Sequence, residues 1–282
     1  MSMMELSKDL AAGYTSHEVR TRFTPIFRGV RAPSGMTVEL KEQVDALLMM
    51  FPDAVLGGWT AARLLRVPYS TGHRPEIIVP RRRPRAGVVM RHEAIPDSDV
   101  IDLRGYRCTS PERTAADLAR HLPFDPAIAA VDQCVRRSRD DRQVTTVDAI
   151  IRFLDNSRYF HRGAIVREVL GEVDGRAESH WETYVRLLLH RNGLTMFEPQ
   201  VPVFGGRYRL DLGAREYGIA VEYDGAHHRD GRQHARDVER WNAIQQEANW
   251  EIILACRRSI DERHDVLLQQ VRGALRRRGW TG

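Results

Sequence analysis

The chain has 282 residues, of which 42% are hydrophobic and 29% charged, a composition typical of a water-soluble globular protein. This length exceeds that of an average domain and predicts two or more folding units. The formal net charge of +5 permits a polyanionic partner without requiring one. No apolar run is long enough for a membrane span, and the first ten residues lack the apolar core of a signal peptide, so we expect a cytoplasmic protein.

Residues 1–35 are predicted to form a small winged helix-turn-helix. Leu6 to Ala12 and residues 15–23 are predicted helices, and Ile26 to Arg31 is a predicted strand. The second helix of such a unit enters the DNA major groove. We expect contacts with DNA from the basic side chains Arg20, Arg22, Arg28 and Arg31. A helical hairpin with a solvated basic face fits the same pattern equally well.

Residues 36–175 are predicted to mix helices and strands. The predicted helices are Val38 to Phe51, Trp59 to Leu65, two that begin near Ser110 and Asp125, Val147 to Leu154 and Ala164 to Leu170. Two predicted strands, Glu76 to Pro80 and Gly87 to His92, flank the loop RRRPR. This loop is the densest positive cluster in the chain, and its residues Arg81, Arg82 and Arg83 are candidate phosphate contacts. A solvated arginine loop is at least as good an interpretation.

Residues 176–282 follow a polar, glycine-containing stretch that we take as a domain boundary. Their hydrophobic pattern predicts the element order αβββαβα. The elements are a helix over 179–190, strands over 200–204, 208–212 and 218–223, a helix over 233–248, a strand over 250–255 and a helix over 263–278. The whole chain is therefore predicted to have a mixed α/β fold.

Three carboxylates are predicted to gather on the hairpin of this last region. Asp211 lies on one strand, while Glu222 and Asp224 lie two residues apart on the next and so face the same way. Carboxylates this close repel one another unless a cation or a proton neutralises them. A hard divalent metal, Mg²⁺ or Mn²⁺, bound by all three would do so. In the alternative, the acids form ion pairs with Arg207, Arg209 and Arg229.

The element order, with Asp211 and Glu222 on successive strands, resembles the restriction-endonuclease-like core of the PD-(D/E)xK superfamily. More narrowly, VEYDGAHH, RDVERWNAI and NWEIILACR resemble the bacterial domain related to very-short-patch-repair (Vsr) endonucleases. The N-terminal half is similar, more loosely, to the winged-helix and adjoining region of abortive-infection type IV antitoxins. That similarity is carried by FRGVRAP, AVLGGWTAARLLRV and CTSPERTAADLAR.

The nuclease resemblance implies a role for each matching residue. Asp211 would be the central metal ligand, Glu222 the acid of the D/E-x-K pair, and Glu182 the helical glutamate that contacts the metal or its water. Asp224 stands where the superfamily has lysine, and no lysine occurs after Lys41. An aspartate there would have to act as a ligand or a base.

The same resemblance supplies the remaining catalytic candidates. His228 matches the histidine that serves as the base in the repair enzymes. Asp237 and Arg240 lie on one predicted helix, where they would orient His228 or contact phosphate. A structural salt bridge is their other interpretation.

These residues predict an enzyme, a metal-dependent endonuclease for which DNA is favoured over RNA as the substrate, and the choice between the two stays open. The resemblance favours the toxin of a toxin–antitoxin or phage-defence module, with a cognate antitoxin as protein partner. The alternative is a non-enzymatic DNA-binding regulator or antitoxin-like protein with a degenerate nuclease core. A mismatch-nicking repair enzyme ranks lower, because Cys108, Cys134 and Cys256 do not match that enzyme's structural zinc site. The oligomeric state is left open.

Overall fold

A computed structural model describes residues 4–5, 13–81, 84–138, 140–157, 160–225 and 249–282. The fold is mixed α/β, as predicted. The chain divides into two compact units, residues 1–118 and 119–282, and the division falls within one helix. The predicted domain boundaries at residues 35 and 175 stay predictions.

A three-stranded sheet and one helix form the start of the first unit. Helix α1 (Ser16–Arg22) begins at Thr15, whose side chain accepts a hydrogen bond from the backbone N–H of Glu18. The strands are β1 (Met4–Glu5), β2 (Phe23–Phe27) and β3 (Val30–Pro33), in the order β1-β3-β2. The predicted helix over residues 6–12 lies outside the described residues.

The single strand predicted from Ile26 to Arg31 is wrong. The chain turns back at Arg28 and Gly29, and the two halves of the predicted strand pair with each other as β2 and β3. Gly29 has a φ of +101°, a conformation that side chains with a Cβ rarely adopt. The glycine that we placed inside a strand therefore makes the tip of a hairpin.

The rest of the first unit is a five-stranded mixed sheet packed with helices. Its helices are α2 (Leu40–Met50), α3 (Gly58–Leu64) and α4 (Pro111–His121), the helix that crosses into the second unit. Its strands are β4 (Val55–Leu56), β5 (Glu76–Val79), β6 (Val89–His92), β7 (Val100–Leu103) and β8 (Tyr106–Thr109), in the order β6-β5-β4-β8-β7. Strands β5 and β6 are parallel. Leu47 of α2, Leu56 and Ile77 pack together in its core.

The second unit begins with helices and ends with a four-stranded sheet and two more helices. The helices are α5 (Phe124–Val135), α6 (Val147–Asn156), α7 (Gly163–Gly171), α8 (His180–Arg191), α9 (Arg257–Asp261) and α10 (His264–Arg277). The strands are β9 (Glu198–Val203), β10 (Tyr208–Ala214), β11 (Ile219–Tyr223) and β12 (Glu251–Ala255). The predicted helix over 233–248 lies outside the described residues.

The sheet of the second unit has the order β12-β11-β10-β9, antiparallel except for the parallel pair β11 and β12. Its main core joins α8, β10, β11 and α10 through side chains that include Leu189, Leu212, Val221 and Val271. A smaller cluster contains Leu210. Leu210 and Leu212 of β10 thus belong to different hydrophobic clusters, and Asp211 lies between them in the chain.

A buried carboxylate fixes helix α8 to the helices before it. Asp132 of α5 is fully buried, and it accepts hydrogen bonds from Thr183 Oγ1 at 2.7 Å and from the backbone N–H of Asp174 at 2.7 Å. Arg186 of α8, also buried, lies 3.2 Å from the same carboxylate and donates to the Glu172 carbonyl at 2.9 Å. Burial raises the pKa of Asp132 to about 6, although the Arg186 charge and these hydrogen bonds favour its ionised form.

Among the described residues, no helix combines the length and apolar composition that crossing a membrane requires.

We expect the substitution Asp132→Ala to lower the free energy of unfolding by about 3–5 kcal/mol, because it leaves the buried Arg186 guanidinium without its carboxylate. The matched control is Asp155→Ala, which removes an exposed partner of Arg167 and should cost less than about 1 kcal/mol. Urea unfolding followed by circular dichroism measures both. Equal stability of the two variants would contradict the assigned role of Asp132.

Candidate functional site

A row of polar side chains crosses the sheet of the second unit. The register of β9 and β10 places Gln200 opposite Asp211, and the register of β10 and β11 places Glu222 on the other side of Asp211. Glu182, in the first turn of α8, joins this row because its Oε2 accepts a hydrogen bond from Gln200 Nε2 at 2.9 Å. We call these four residues the polar row. The structure therefore brings together three of the predicted catalytic residues.

Within the polar row, Asp211 and Glu222 each accept a hydrogen bond from the backbone of the opposite strand. The Asp211 N–H donates to Glu222 Oε1 at 2.9 Å, and the Tyr223 N–H donates to Asp211 Oδ2 at 2.9 Å. Glu222 is buried and Asp211 partly buried. Buried carboxylates with N–H donors are stabilised by the protein itself. The pairing of β10 with β11 thus accounts for the closeness of these two acids.

Glu182 is the member of the polar row with the most perturbed ionisation. Its carboxylate accepts the Glu178 N–H at 2.8 Å, and its own N–H donates to Ser179 Oγ at 3.2 Å. Burial raises the pKa of Glu182 to about 7, and the negative charge of Asp211 adds to that rise. This carboxyl group can therefore gain or lose a proton near neutral pH.

Asp224, the residue at the expected lysine position, follows the end of β11. Its backbone N–H donates to the Ala255 carbonyl at 2.6 Å and so extends the pairing with β12. Within the described part of the chain, the ligand atoms of Asp211, Glu222 and Asp224 do not form a set lying within 4.8 Å of one another. The three predicted ligands of Mg²⁺ or Mn²⁺ are thus not gathered as one set, and metal binding stays a prediction.

A cavity of about 450 Å³ opens beside the polar row. Acidic and basic side chains both line it. The lining residues are Glu178, Gln200, Gly206, Arg207, Tyr208, Arg209 and Asp211. Arg209 forms an ion pair with Glu178. The other predicted catalytic residues, His228, Asp237 and Arg240, lie outside the described residues, and their roles stay predictions.

The predicted DNA contacts of the first unit are mostly exposed arginines. Arg20 and Arg22 are exposed on α1, and Arg22 lies 3.7 Å from Glu18. Arg81 is exposed just after β5, whereas Arg82 and Arg83 lie outside the described residues. Arg31 is partly buried and donates to the Phe23 carbonyl at 3.3 Å, which gives it a structural role within the hairpin.

Arg85 joins the hairpin to the arginine loop. Its Nη1 donates to the carbonyl oxygen of Arg28, the exposed residue at the β2–β3 turn, at 2.7 Å. Its guanidinium also lies 5.9 Å from the centre of the Phe51 ring. We did not predict a contact role for Arg85, although its place in the RRRPR run was the available signal. Two basic clusters that are far apart in sequence thus become neighbours.

Comparison with known proteins gives two findings. Residues 54–156 match the AbiEi antitoxin C-terminal domain. The chain is also 30% identical over 181 residues to uncharacterized proteins of Mycobacterium tuberculosis, one in strain CDC 1551 / Oshkosh and one in strain ATCC 25618 / H37Rv. Each alignment covers 61% of this chain and 62% of the relative, so the chain spans less than two thirds of these relatives' length.

These comparisons overturn the nuclease identification. The matching family is an antitoxin domain, and the relatives are uncharacterized, so neither supports a PD-(D/E)xK or Vsr-like nuclease. The predicted function, a hydrolase that acts as the toxin of a module, is wrong for the same reason. The match agrees better with the alternative, a DNA-binding regulator or antitoxin-like protein.

We expect Glu182→Gln to change how stability depends on pH. The folded pKa of Glu182, about 7, lies above its ordinary value of 4.5, so its contribution is fully present below pH 4.5 and is lost as pH rises through 7. Glutamine keeps a carbonyl that can accept from Glu178 and Gln200 but does not ionise. The wild type should therefore lose about 1–3 kcal/mol relative to the variant over this range. Parallel stability curves in pH-dependent urea unfolding would contradict the raised pKa.

Proposed function

We propose that this chain is a non-enzymatic DNA-binding regulator of the antitoxin type. The observation that carries the proposal is the hydrogen bond of Arg85 to the Arg28 carbonyl, because it makes one basic surface from the hairpin turn and the arginine loop. Arg81 is exposed at the start of that loop. We call Arg28, Arg81 and Arg85 the hairpin–loop surface.

The charges of the hairpin–loop surface suit a phosphate backbone. Within the described part of the chain, Arg28, Arg81 and Arg85 have no carboxylate within ion-pair distance, whereas Arg107 and Arg113 of the same unit do. Guanidinium groups that no protein carboxylate neutralises can form charge-assisted bonds with phosphate oxygens. Such contacts supply affinity and position for DNA with little dependence on sequence.

The hairpin also gives the hairpin–loop surface a shape known from DNA-binding proteins. Helix α1 leads directly into β2, and the β2–β3 turn projects Arg28 beside the loop. In a winged helix-turn-helix, a helix reads the groove while the hairpin contacts the neighbouring backbone. We assign Arg20 of α1 to the groove side of this interface, together with the hairpin–loop surface on the backbone side.

The antitoxin part of the proposal rests on residues 54–156, which match an antitoxin domain. The match implies two partners, chromosomal DNA and a toxin protein. Binding to chromosomal DNA implies a cytoplasmic location. The hydrogen bonds that satisfy Asp211 and Glu222 within the sheet agree with a structural role for the polar row in such a protein.

We expect the double variant Arg28→Ala/Arg81→Ala to bind duplex DNA more weakly and with less dependence on salt. Each lost phosphate contact should lower the slope of log K against log salt concentration by about 0.9. Fluorescence anisotropy of a labelled random-sequence duplex, titrated at several salt concentrations, measures the slope.

The control variant loses two arginines that already have carboxylate partners, so its net charge changes by the same amount. Arg107→Ala/Arg137→Ala takes exposed guanidinium groups away from Asp97 and Asp141 and should leave the slope unchanged. An equal slope in the wild type and in the Arg28→Ala/Arg81→Ala variant would sink the proposed interface.

A further inference from the structure

A second basic surface of the first unit carries exposed aromatic rings. The rings of Trp59 and His73 stack with their centroids 4.0 Å apart and their planes 2° apart. His73 is exposed, and Tyr69 has 49% of its surface exposed. Arg63, Arg66 and Arg74 lie beside these rings in the chain, and Arg63 follows Trp59 by one turn of α3. We call these six residues the aromatic–arginine surface.

The backbone holds Trp59 in a fixed position. The Trp59 N–H donates to Glu76 Oε2 at 3.4 Å, and the Glu76 N–H donates to Thr60 Oγ1 at 2.7 Å. Gly58 has a φ of +47°, and a Cβ at this position would lie 2.0 Å from Glu76 Oε2. The buried Glu76 carboxylate therefore occupies the place of a side chain at residue 58. This junction of α3 and β5 fixes the backbone from which the Trp59 ring projects.

The turn after α3, which carries the Tyr69 ring, also has a well-defined backbone conformation. Arg66 and Tyr69 both have left-handed φ angles, +63° and +58°. Between them Val67 is buried, and its carbonyl accepts a hydrogen bond from Ser70 Oγ at 2.7 Å. Non-glycine residues adopt such conformations only where surrounding structure enforces them, and they concentrate at binding sites. This turn holds Arg66 and Tyr69 at the surface.

The charge around these rings is strongly positive. Residues 54–75 contain three arginines and no acidic residue, and the next residue, Glu76, is buried and paired with Arg91. No carboxylate of the described residues lies within 4.0 Å of the guanidinium groups of Arg63, Arg66 or Arg74. The surface is therefore suited to a polyanion.

We propose that the aromatic–arginine surface binds single-stranded nucleic acid. Unpaired bases stack on the rings of Tyr69 and His73, with Trp59 as the support behind His73, and the three arginines contact the phosphates. Ring faces held in place beside unpaired guanidinium groups are the two elements that single-strand binding requires. Paired bases in a duplex hide their faces from such rings, so this activity differs from the duplex binding proposed above. Single-stranded DNA and RNA share the chemistry, and the experiment separates them.

The experiment measures binding of the full chain to fluorescein-labelled oligodeoxyuridylate and oligouridylate of equal length, by anisotropy at low salt. Tyr69→Leu keeps apolar bulk but removes the flat ring, and it should weaken binding roughly tenfold, as should His73→Ala. Tyr69→Phe keeps the ring and should bind like the wild type. Phe204→Ala removes a partly exposed ring of the second unit and is the matched control. Tighter binding of one oligomer identifies the natural ligand as DNA or RNA.

Three results with the oligomers alone would overturn the inference. They are the absence of binding to both oligomers, binding that Tyr69→Leu and His73→Ala leave unchanged, and an equal loss in Phe204→Ala. Displacement of the oligomer by polyglutamate at equal charge concentration would assign the surface to an acidic protein instead. The Arg28→Ala/Arg81→Ala variant should still bind the oligomers. Wild-type protein that binds duplex but no oligomer refutes this inference alone, and the reverse result refutes the proposed duplex function alone.

Discussion

The arrangement of the second unit depends on one buried charge, the carboxylate of Asp132. A carboxylate removed from water must find compensating groups, and Asp132 finds them on α8 and in the segment before it. Because the Asp132 carboxylate binds both Thr183 and Arg186, it fixes the position of α8 along its axis and its rotation about that axis. That rotation turns Glu182, one residue before Thr183, toward Gln200 of the sheet. Glu182 therefore joins the polar row as a consequence of packing two helices around a charge.

This origin explains why a group of acids is a poor guide to chemistry. Asp211 and Glu222 lie side by side because two strands meet there, and each carboxylate takes over an N–H from the opposite strand. The same pair of residues on the same strands is what the nuclease resemblance required. The identity and strand position of these two acids fit a nuclease site and a structural pair equally well. The hydrogen bonds of their carboxylates bear directly on the choice between these roles.

Strong local signals predicted most of the elements. Ser110 and Pro111 begin α4 as expected, because a capping hydroxyl and a proline in the first turn act within a few residues. The strands β4, β7 and β8 escaped prediction, since their pairing with neighbours in the sheet, which holds them, is not visible in the sequence. Gly29 was read as part of a strand because its φ is not visible in sequence. Nor could sequence predict the contact between Arg85 and Arg28, which are 57 residues apart.

The parallel pairing of β5 with β6 has a consequence for the arginine loop between them. Antiparallel neighbours can be joined by a tight turn, but the connection between parallel strands must return along the full length of the sheet. Four residues of strand span roughly 13 Å. A tight turn would have concentrated its cations on a single point. A returning connection instead runs back along the sheet, and the described arginines Arg81 and Arg85 both lie on it, so the direction of one strand sets the length of polyanion that this edge of the sheet can follow.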